Sequence, residues 1–303
     1  MLYDVVIVGG GPAGLSAALT LGRGRKRVLL CDAGPRRNAA AVHVNGFVTR
    51  DGITPNEFRA TAREQLTKYP NVEVRDVGID AILGDKGSFE VQLSTGSVTA
   101  RRVLLATGMI DELPSLEGFR ALWGSGIFQC PYCHGWEVQD QRFGYLALDP
   151  EMLMFAPLLR GWTRSVSVFT RGAFAVPEEQ RDTLAHAGIT LDERPVTRLV
   201  QKDGHLAQLD FAEGPPVQMD VLFAHPPQRH VAQVSALGLT LDALGFVQVH
   251  EQHRETSRPG IYAAGDLTTR GQSAVLAAAS GMMAAAGINH ELTVELATTG
   301  ALG

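Results

Sequence analysis

The sequence predicts an α/β protein of layered domains, one domain inserted in the other, and three observations carry that prediction. The continuous apolar run Val5-Val6-Ile7-Val8 enters Gly9-Gly10-Gly11-Pro12-Ala13-Gly14, and a helical stretch from Ala13 to Leu21 follows. Strands ending in small residues recur far along the chain, at Arg102 to Gly108 (ending Ala106-Thr107-Gly108) and at Arg258 to Asp266 (ending Ala263-Ala264-Gly265-Asp266). Between them lies a further strand–helix–strand frame: Arg142 to Leu148, Glu151 to Arg160 with apolar residues at helical spacing, and Val166 to Phe169. Unbroken apolar strands alternating with helices imply parallel sheets covered on both faces.

The N-terminal unit reads β–GxGxxG–α–β. Gly9 makes the tight turn, Gly11 lets backbone approach a pyrophosphate, and Gly14 permits close packing of helix on strand. Pro12 and Ala13 open the helix, whose first amides and positive dipole end face the phosphates. Arg27 to Cys31 is the second strand, and Asp32 at its end can take a ribose hydroxyl. The Ala/Gly-rich stretch Gln272 to Ala286 reads as a tightly packed helix. At 303 residues the chain is long for one core. The expected division is residues 1–112 plus 236–303 as one discontinuous domain and 113–235 as the insert, with Gly124-Ser125-Gly126 and Pro226-Pro227 as hinges.

A net charge of −5 argues against a nucleic-acid partner. No apolar run approaches a membrane span, and the N-terminus shows no basic n-region or cleavage site, so the expectation is a cytoplasmic protein. Two of the three cysteines form Cys130-Pro131-Tyr132-Cys133, followed at once by His134. In a cytosolic chain this pair reads as redox-active or metal-binding rather than as a structural staple. A c-type haem has the same C-x-x-C-H spelling but needs attachment after export. A zinc site needs four ligands, usually from two separated pairs, and Cys31 stands alone. A reactive dithiol/disulfide fits best, and no metal is expected.

The glycine loop, the Ala-Thr-Gly strand end, the central C-x-x-C and a C-terminal Tyr-Ala-Ala-Gly-Asp occur in that order. The set resembles the low-molecular-weight thioredoxin reductase family of flavoproteins over essentially the whole chain. The resemblance implies two Rossmann-like, three-layer nucleotide-binding domains, the second inserted in the first. It implies FAD in the first site, held by Gly9, Gly11, Pro12, Ala13, Gly14, Asp32, Thr107, Gly108, Gly265 and Asp266, with Gln272 and Ser273 passing the flavin ring and Asn45 contributing from the loop after the second strand. It also implies a homodimer and an exchange mechanism. Cys133 faces the flavin, while Cys130 exchanges with an outside dithiol or disulfide through a mixed disulfide. His134 stands where thioredoxin reductases carry an Asp, and a histidine can serve as base for thiol oxidation.

In that family the insert binds NADPH through a second glycine motif. Here the three small positions fall on Ala147, Asp149 and Met152, and the basic cluster for the 2′-phosphate is reduced to Arg171. A Cβ at each position obstructs close backbone approach, and the Asp149 carboxylate stands where a pyrophosphate must go. The string Cys-Pro-Tyr-Cys-His-Gly-Trp-Glu resembles the dithiol oxidases of disulfide natural-product pathways, which use FAD and dioxygen. The expected function is FAD-dependent dithiol/disulfide exchange without NADPH, with a thioredoxin-like protein or a small molecule as partner. The alternatives are a thioredoxin reductase fed by ferredoxin, another electron carrier or a second flavin, and a non-enzymatic flavin redox sensor.

Overall fold

In the computed structural model, which describes residues 2–34 and 36–300, the first apolar run is the inner part of strand β1 (Leu2–Val8). It leads through helix α1 (Pro12–Arg23), β2 (Val28–Cys31), helix α2 (Pro55–Leu66), β3 (Val72–Arg75), β4 (Ile79–Asp85), β5 (Ser88–Leu93) and β6 (Gly96–Leu105). These strands form one sheet in the order β3-β2-β1-β6-β5-β4, joined by the short strand Ile261–Ala263 beside β6. Alternation along β1 serves two cores. Val5 and Ile7 pack with α1 and the C-terminal helix Ala274–Thr298, while Val6 and Val8 face the cluster containing Phe89, Val234 and Phe246. A strand covered on both faces must be apolar throughout, which explains the unbroken run.

β6 pairs with β1 and, besides it, with two further partners. Its first half pairs antiparallel with β5, and Val103–Leu105 pairs parallel with Ile261–Ala263. In register, Val8 lies opposite both Cys31 and Leu105. Parallel pairing therefore gathers the carboxyl ends of β1, β2, β6 and Ile261–Ala263 at one edge, where a doubly wound sheet binds its ligand.

The chain divides into two compact units. The first contains the described residues of 1–39, 47–110 and 228–300, and the second contains 40–46 and 111–227. Residues 228–235 thus group with the first unit, where Val234 joins its core. Gly124–Gly126 lies within the second unit. There Leu222 N–H donates to the Gly126 carbonyl at 3.0 Å.

The second unit has its own parallel sheet, in the order Thr190–Asp192, Val166–Phe169, Phe143–Leu146, Val221–Ala224, Ile127–Phe128. An antiparallel meander, Val196–Lys202, His205–Phe211 and Val217–Gln218, stands beside it in sequence. The helix expected over 151–160 is instead a 3₁₀ stretch, Pro150–Phe155, followed by the short α-helix Ala156–Leu159. Pro157 causes the break, because it has no N–H to donate to the carbonyl four residues earlier.

The C-terminal helix runs to Thr298, beyond the expected end at Ala286, because Ile288, Leu292 and Leu296 continue its buried stripe at every fourth position. Its far half is held by Arg102, a fully buried side chain whose guanidinium pairs with Glu291 at 3.0 Å and with Glu295. Its near half touches α1 through backbone: a Cβ built on Gly281 would lie 2.0 Å from the Ala13 carbonyl oxygen. Gly281→Ala must therefore push α1 from its strand. The expected loss is about 1–3 kcal/mol, the usual scale of overpacking, read as a lower midpoint in chemical denaturation.

Candidate functional site

At the gathered strand ends, three glycines of the first loop answer to different constraints. Gly9 has φ +112°, and a Cβ on it would sit 2.3 Å from the Ala106 carbonyl oxygen. One on Gly14 would sit 1.9 Å from the Gly9 carbonyl oxygen. Both are demanded by the protein itself. A Cβ on Gly11 would meet no atom within 4 Å, so this glycine borders open space. Gly11 is also the N-cap of α1, and no side chain caps the helix, whose first turn begins with Pro12. Free amides, a positive dipole end and room for a ligand coincide, which fits a dinucleotide pyrophosphate.

Asp32 is 6% exposed. Its carboxylate accepts from Arg59 Nε at 3.0 Å and from the Gly34 amide at 2.9 Å. Arg59, on α2, pairs with the acid, and no motif pointed to it. Gly265, at φ +77°, donates its amide to Ser280 Oγ at 2.6 Å and starts the turn that presents Asp266. Arg37 Nη1 donates to Asp266 Oδ2 at 2.9 Å and also to Gln272. Gln272 and Gln228 exchange reciprocal amide bonds at 2.9 and 3.1 Å. Asp266 and Gln272 thus lie together, and Arg37 and Gln228 join them. Ser273 Oγ accepts from the Leu276 amide at 3.3 Å as the N-cap of the C-terminal helix. Thr107 Oγ1 donates to the Gly108 carbonyl at 3.2 Å, in the turn that follows β6.

In the second unit, Cys130 and Cys133 form a disulfide with Cα atoms 5.3 Å apart. Cys130 is the N-cap of a one-turn helix, Pro131–His134, that contains Cys133, and the Cys133 amide donates to the Cys130 carbonyl at 3.2 Å. Asn45, expected at the cofactor, donates Nδ2 to the Cys133 carbonyl at 2.9 Å and so braces the redox turn. His134 stacks on Phe128 with ring centroids 4.5 Å apart and planes at 11°. Both its ring nitrogens are buried and meet no polar partner among the described residues. Burial holds its pKa below the ordinary histidine value; the Glu137 carboxylate opposes that shift and His43 adds to it. A neutral imidazole results, able to accept a proton. Tyr132 and Trp136 are each 71% exposed beside the cysteines, so Trp136 is not part of the core. The third cysteine, Cys31, is buried, and desolvation pushes its thiol up to about 12, leaving it inert.

The second strand–helix–strand frame carries no open glycine loop. Asp149 Oδ1 accepts from the Met152 amide at 3.0 Å, capping the 3₁₀ turn that starts at Pro150. Ala147 is fully buried, and Met152, 7% exposed, accepts the Leu148 amide on its sulfur at 3.4 Å. Protein groups thus take the Leu148 and Met152 amides.

These features define a pyridine nucleotide-disulphide oxidoreductase, and residues 3–149 match the model of that family. The chain is 32% identical to a probable thioredoxin reductase of Arthroderma benhamiae, over 97% of this chain and 81% of that protein. Among solved structures it resembles HlmI, at TM-score 0.92 and 35% identity over 98% of this chain and 95% of that one. An oxidoreductase from Agrobacterium tumefaciens gives TM-score 0.91 and 35% identity, covering 97% and 99%. The chain belongs to the thioredoxin reductase-like family.

The buried His134 couples stability to pH. Its folded-state pKa lies below the unfolded value, so between the two the unfolded chain binds more protons. The associated stability is complete above the ordinary histidine value near 6.5 and falls as pH drops through the window beneath it, by at most about 1.4 kcal/mol per pH unit. Denaturation curves at pH 7.5 and 5.5 should show a smaller acid-side loss in His134→Phe than in the parent.

Proposed function

We propose that this chain is an FAD-dependent dithiol/disulfide oxidoreductase that passes electrons between Cys130/Cys133 and an outside thiol pair, and that it draws none from NADPH through its second frame. The observation that carries the reading is a reducible disulfide next to a buried, neutral imidazole with two unsatisfied nitrogens. Asp149 and Met152 support the NADPH-independent part, since a capped 3₁₀ turn offers a pyrophosphate neither free amides nor space.

In the oxidative direction one substrate thiol gives its proton to His134. The thiolate attacks Cys130 Sγ, a new S–S bond forms, and the Cys130–Cys133 bond breaks with its electron pair on Cys133 Sγ. The second substrate thiol, losing its proton in turn, attacks the substrate sulfur of the mixed disulfide and displaces Cys130. The substrate leaves as a disulfide and the enzyme holds a dithiol with two protons and two electrons. FAD, when bound at the first unit, supplies the two-electron acceptor that restores the disulfide. Gly11 and the uncapped start of α1 would hold its pyrophosphate, Asp32 its ribose, and Asp266 with Arg37 the ribityl region.

Tyr132 and Trp136 offer aromatic contact to a substrate at the cysteines. The thioredoxin reductase name borne by a relative supports a thioredoxin-like protein as the alternative partner, supplied with electrons by ferredoxin or another carrier. A homodimer accords with the exposed apolar residues Val275, Leu276, Met282, Met283 and Val294 on the C-terminal helix. No helix among the described residues is long and apolar enough to cross a membrane.

Two measurements test this reading. Anaerobic stopped-flow of the FAD-loaded enzyme should show flavin bleaching by dithiothreitol but not by micromolar NADPH; rapid bleaching by NADPH overturns the electron-source assignment. Cys133→Ser should keep its FAD and lose dithiol-driven bleaching by at least about a hundredfold. Retained bleaching in that variant removes the disulfide from the reaction.

A further inference from the structure

The disulfide closes a small ring through Cys130, Pro131, Tyr132 and Cys133, and the two enclosed residues differ. Pro131 is buried, whereas Tyr132 is exposed. A thiol that attacks Cys130 must bring the carbons beside its sulfur up to this ring. Of the two side chains enclosed with the sulfurs, Tyr132 is the one open to such a visitor.

Tyr132 is held from within the second unit. Trp162 meets it edge to face, with ring centroids 5.2 Å apart and planes at 85°, the arrangement that aromatic quadrupoles favour. Trp162 also lies against the backbone of the same turn. A Cβ built on Gly135 would sit 2.9 Å from both Cδ1 and Nε1 of the indole. The indole therefore touches the turn on either side of the Cys133-His134 pair, at Tyr132 and at Gly135. Its own place is fixed twice through the main chain. The Trp162 amide donates to the Leu159 carbonyl at 3.0 Å, and its carbonyl accepts the Asp140 amide at 2.9 Å. It packs on the core cluster to which the fully buried Leu159 belongs. A side chain anchored in this way limits where the ring resting on it can go.

Charge narrows the kind of visitor. Residues 121–141 contain no lysine or arginine, while Glu137 and Asp140 are exposed acids. The segment that carries the disulfide thus offers an aromatic ring among negative charges. That suits an uncharged apolar group and disfavours a carboxylate.

We propose that Trp162 is a positioning residue for substrate choice: it fixes the Tyr132 ring, and the fixed ring favours dithiols that carry an uncharged apolar ring of their own. This rests on the dithiol/disulfide reading of the site. Trp162 acts through Tyr132.

The test uses FAD-loaded enzyme in anaerobic stopped-flow bleaching with three dithiols: ortho-benzenedimethanethiol, which carries an uncharged ring, dithiothreitol, which is uncharged without one, and dimercaptosuccinate, which is anionic. The parent should reach its half-maximal bleaching rate at a concentration about tenfold lower for the ring dithiol than for dithiothreitol, and should need still more dimercaptosuccinate. Tyr132→Ala and Trp162→Leu should each cut the ring dithiol's advantage to about twofold or less, while Trp162→Phe, which keeps a ring edge against Tyr132, should retain most of it. A ratio between two dithiols is not moved by a loss of active enzyme. Tyr132→Ala changes an exposed side chain, so it carries the test if Trp162→Leu fails to fold. An unchanged advantage in Tyr132→Ala or in Trp162→Leu overturns the inference. A parent that bleaches equally well with all three dithiols also overturns it, and leaves the functional reading standing. If the parent is bleached by no dithiol, the functional reading fails and the inference with it.

Discussion

Backbone packed directly on backbone is the constraint from which the first unit is built. The Gly9 turn lies against the Ala106 carbonyl, Gly14 against Gly9, and Gly281 of the C-terminal helix against Ala13. Each contact leaves no room for a Cβ, and together they tie residues near the beginning, the middle and the end of the chain to one point. That point is also where the carboxyl ends of the parallel strands converge. Close packing draws α1 down onto β1 and so aims its uncapped amides at the space beside Gly11. The electrostatics of the site follow from that geometry, with Arg59 fixing Asp32 and Arg37 fixing Asp266 around it.

The second unit repeats the parallel-sheet architecture with a different turn. Its parallel sheet and crossover are retained, but the turn after Phe143–Leu146 satisfies its own amides through Asp149 and fills its own space with Met152. What this unit contributes instead is a short helical turn with a disulfide across it, a braced carbonyl at Cys133 and a buried imidazole. The carboxylate that caps this turn is the same group that would repel a phosphate, so the negative charge costs the unit no stability at that position.

Much of this was legible in the residues, for reasons that are physical. Buried parallel strands must be apolar throughout, so β1, β2 and Val166–Phe169 declare themselves; glycines that cannot be replaced mark turns. The C-x-x-C is local, and so is His134. Other features are not local. Arg37 meets Asp266, and Arg59 meets Asp32, only because the sheet order brings them together, and nothing in a single surface-type arginine says so. The resemblance implies Asn45 at the cofactor; its contact with the Cys133 carbonyl is made by a loop whose path no periodicity encodes. Arg102 looks like a polar residue misplaced in an apolar strand until the far end of the C-terminal helix supplies Glu291 and Glu295. Pro157 shortened a helix that the apolar spacing alone had prolonged.

The cap at Asp149 has a consequence for how such a chain can change. Replacing this residue alone by glycine would remove a repulsive charge but leave the Met152 amide without its acceptor, while the Met152 side chain still filled the crevice. Each single step back toward a second nucleotide site gives up a satisfied hydrogen bond or a packed side chain before any ligand can repay the loss. If the second frame takes no pyridine nucleotide, as proposed above, several substitutions must therefore arrive together before this turn could hold one.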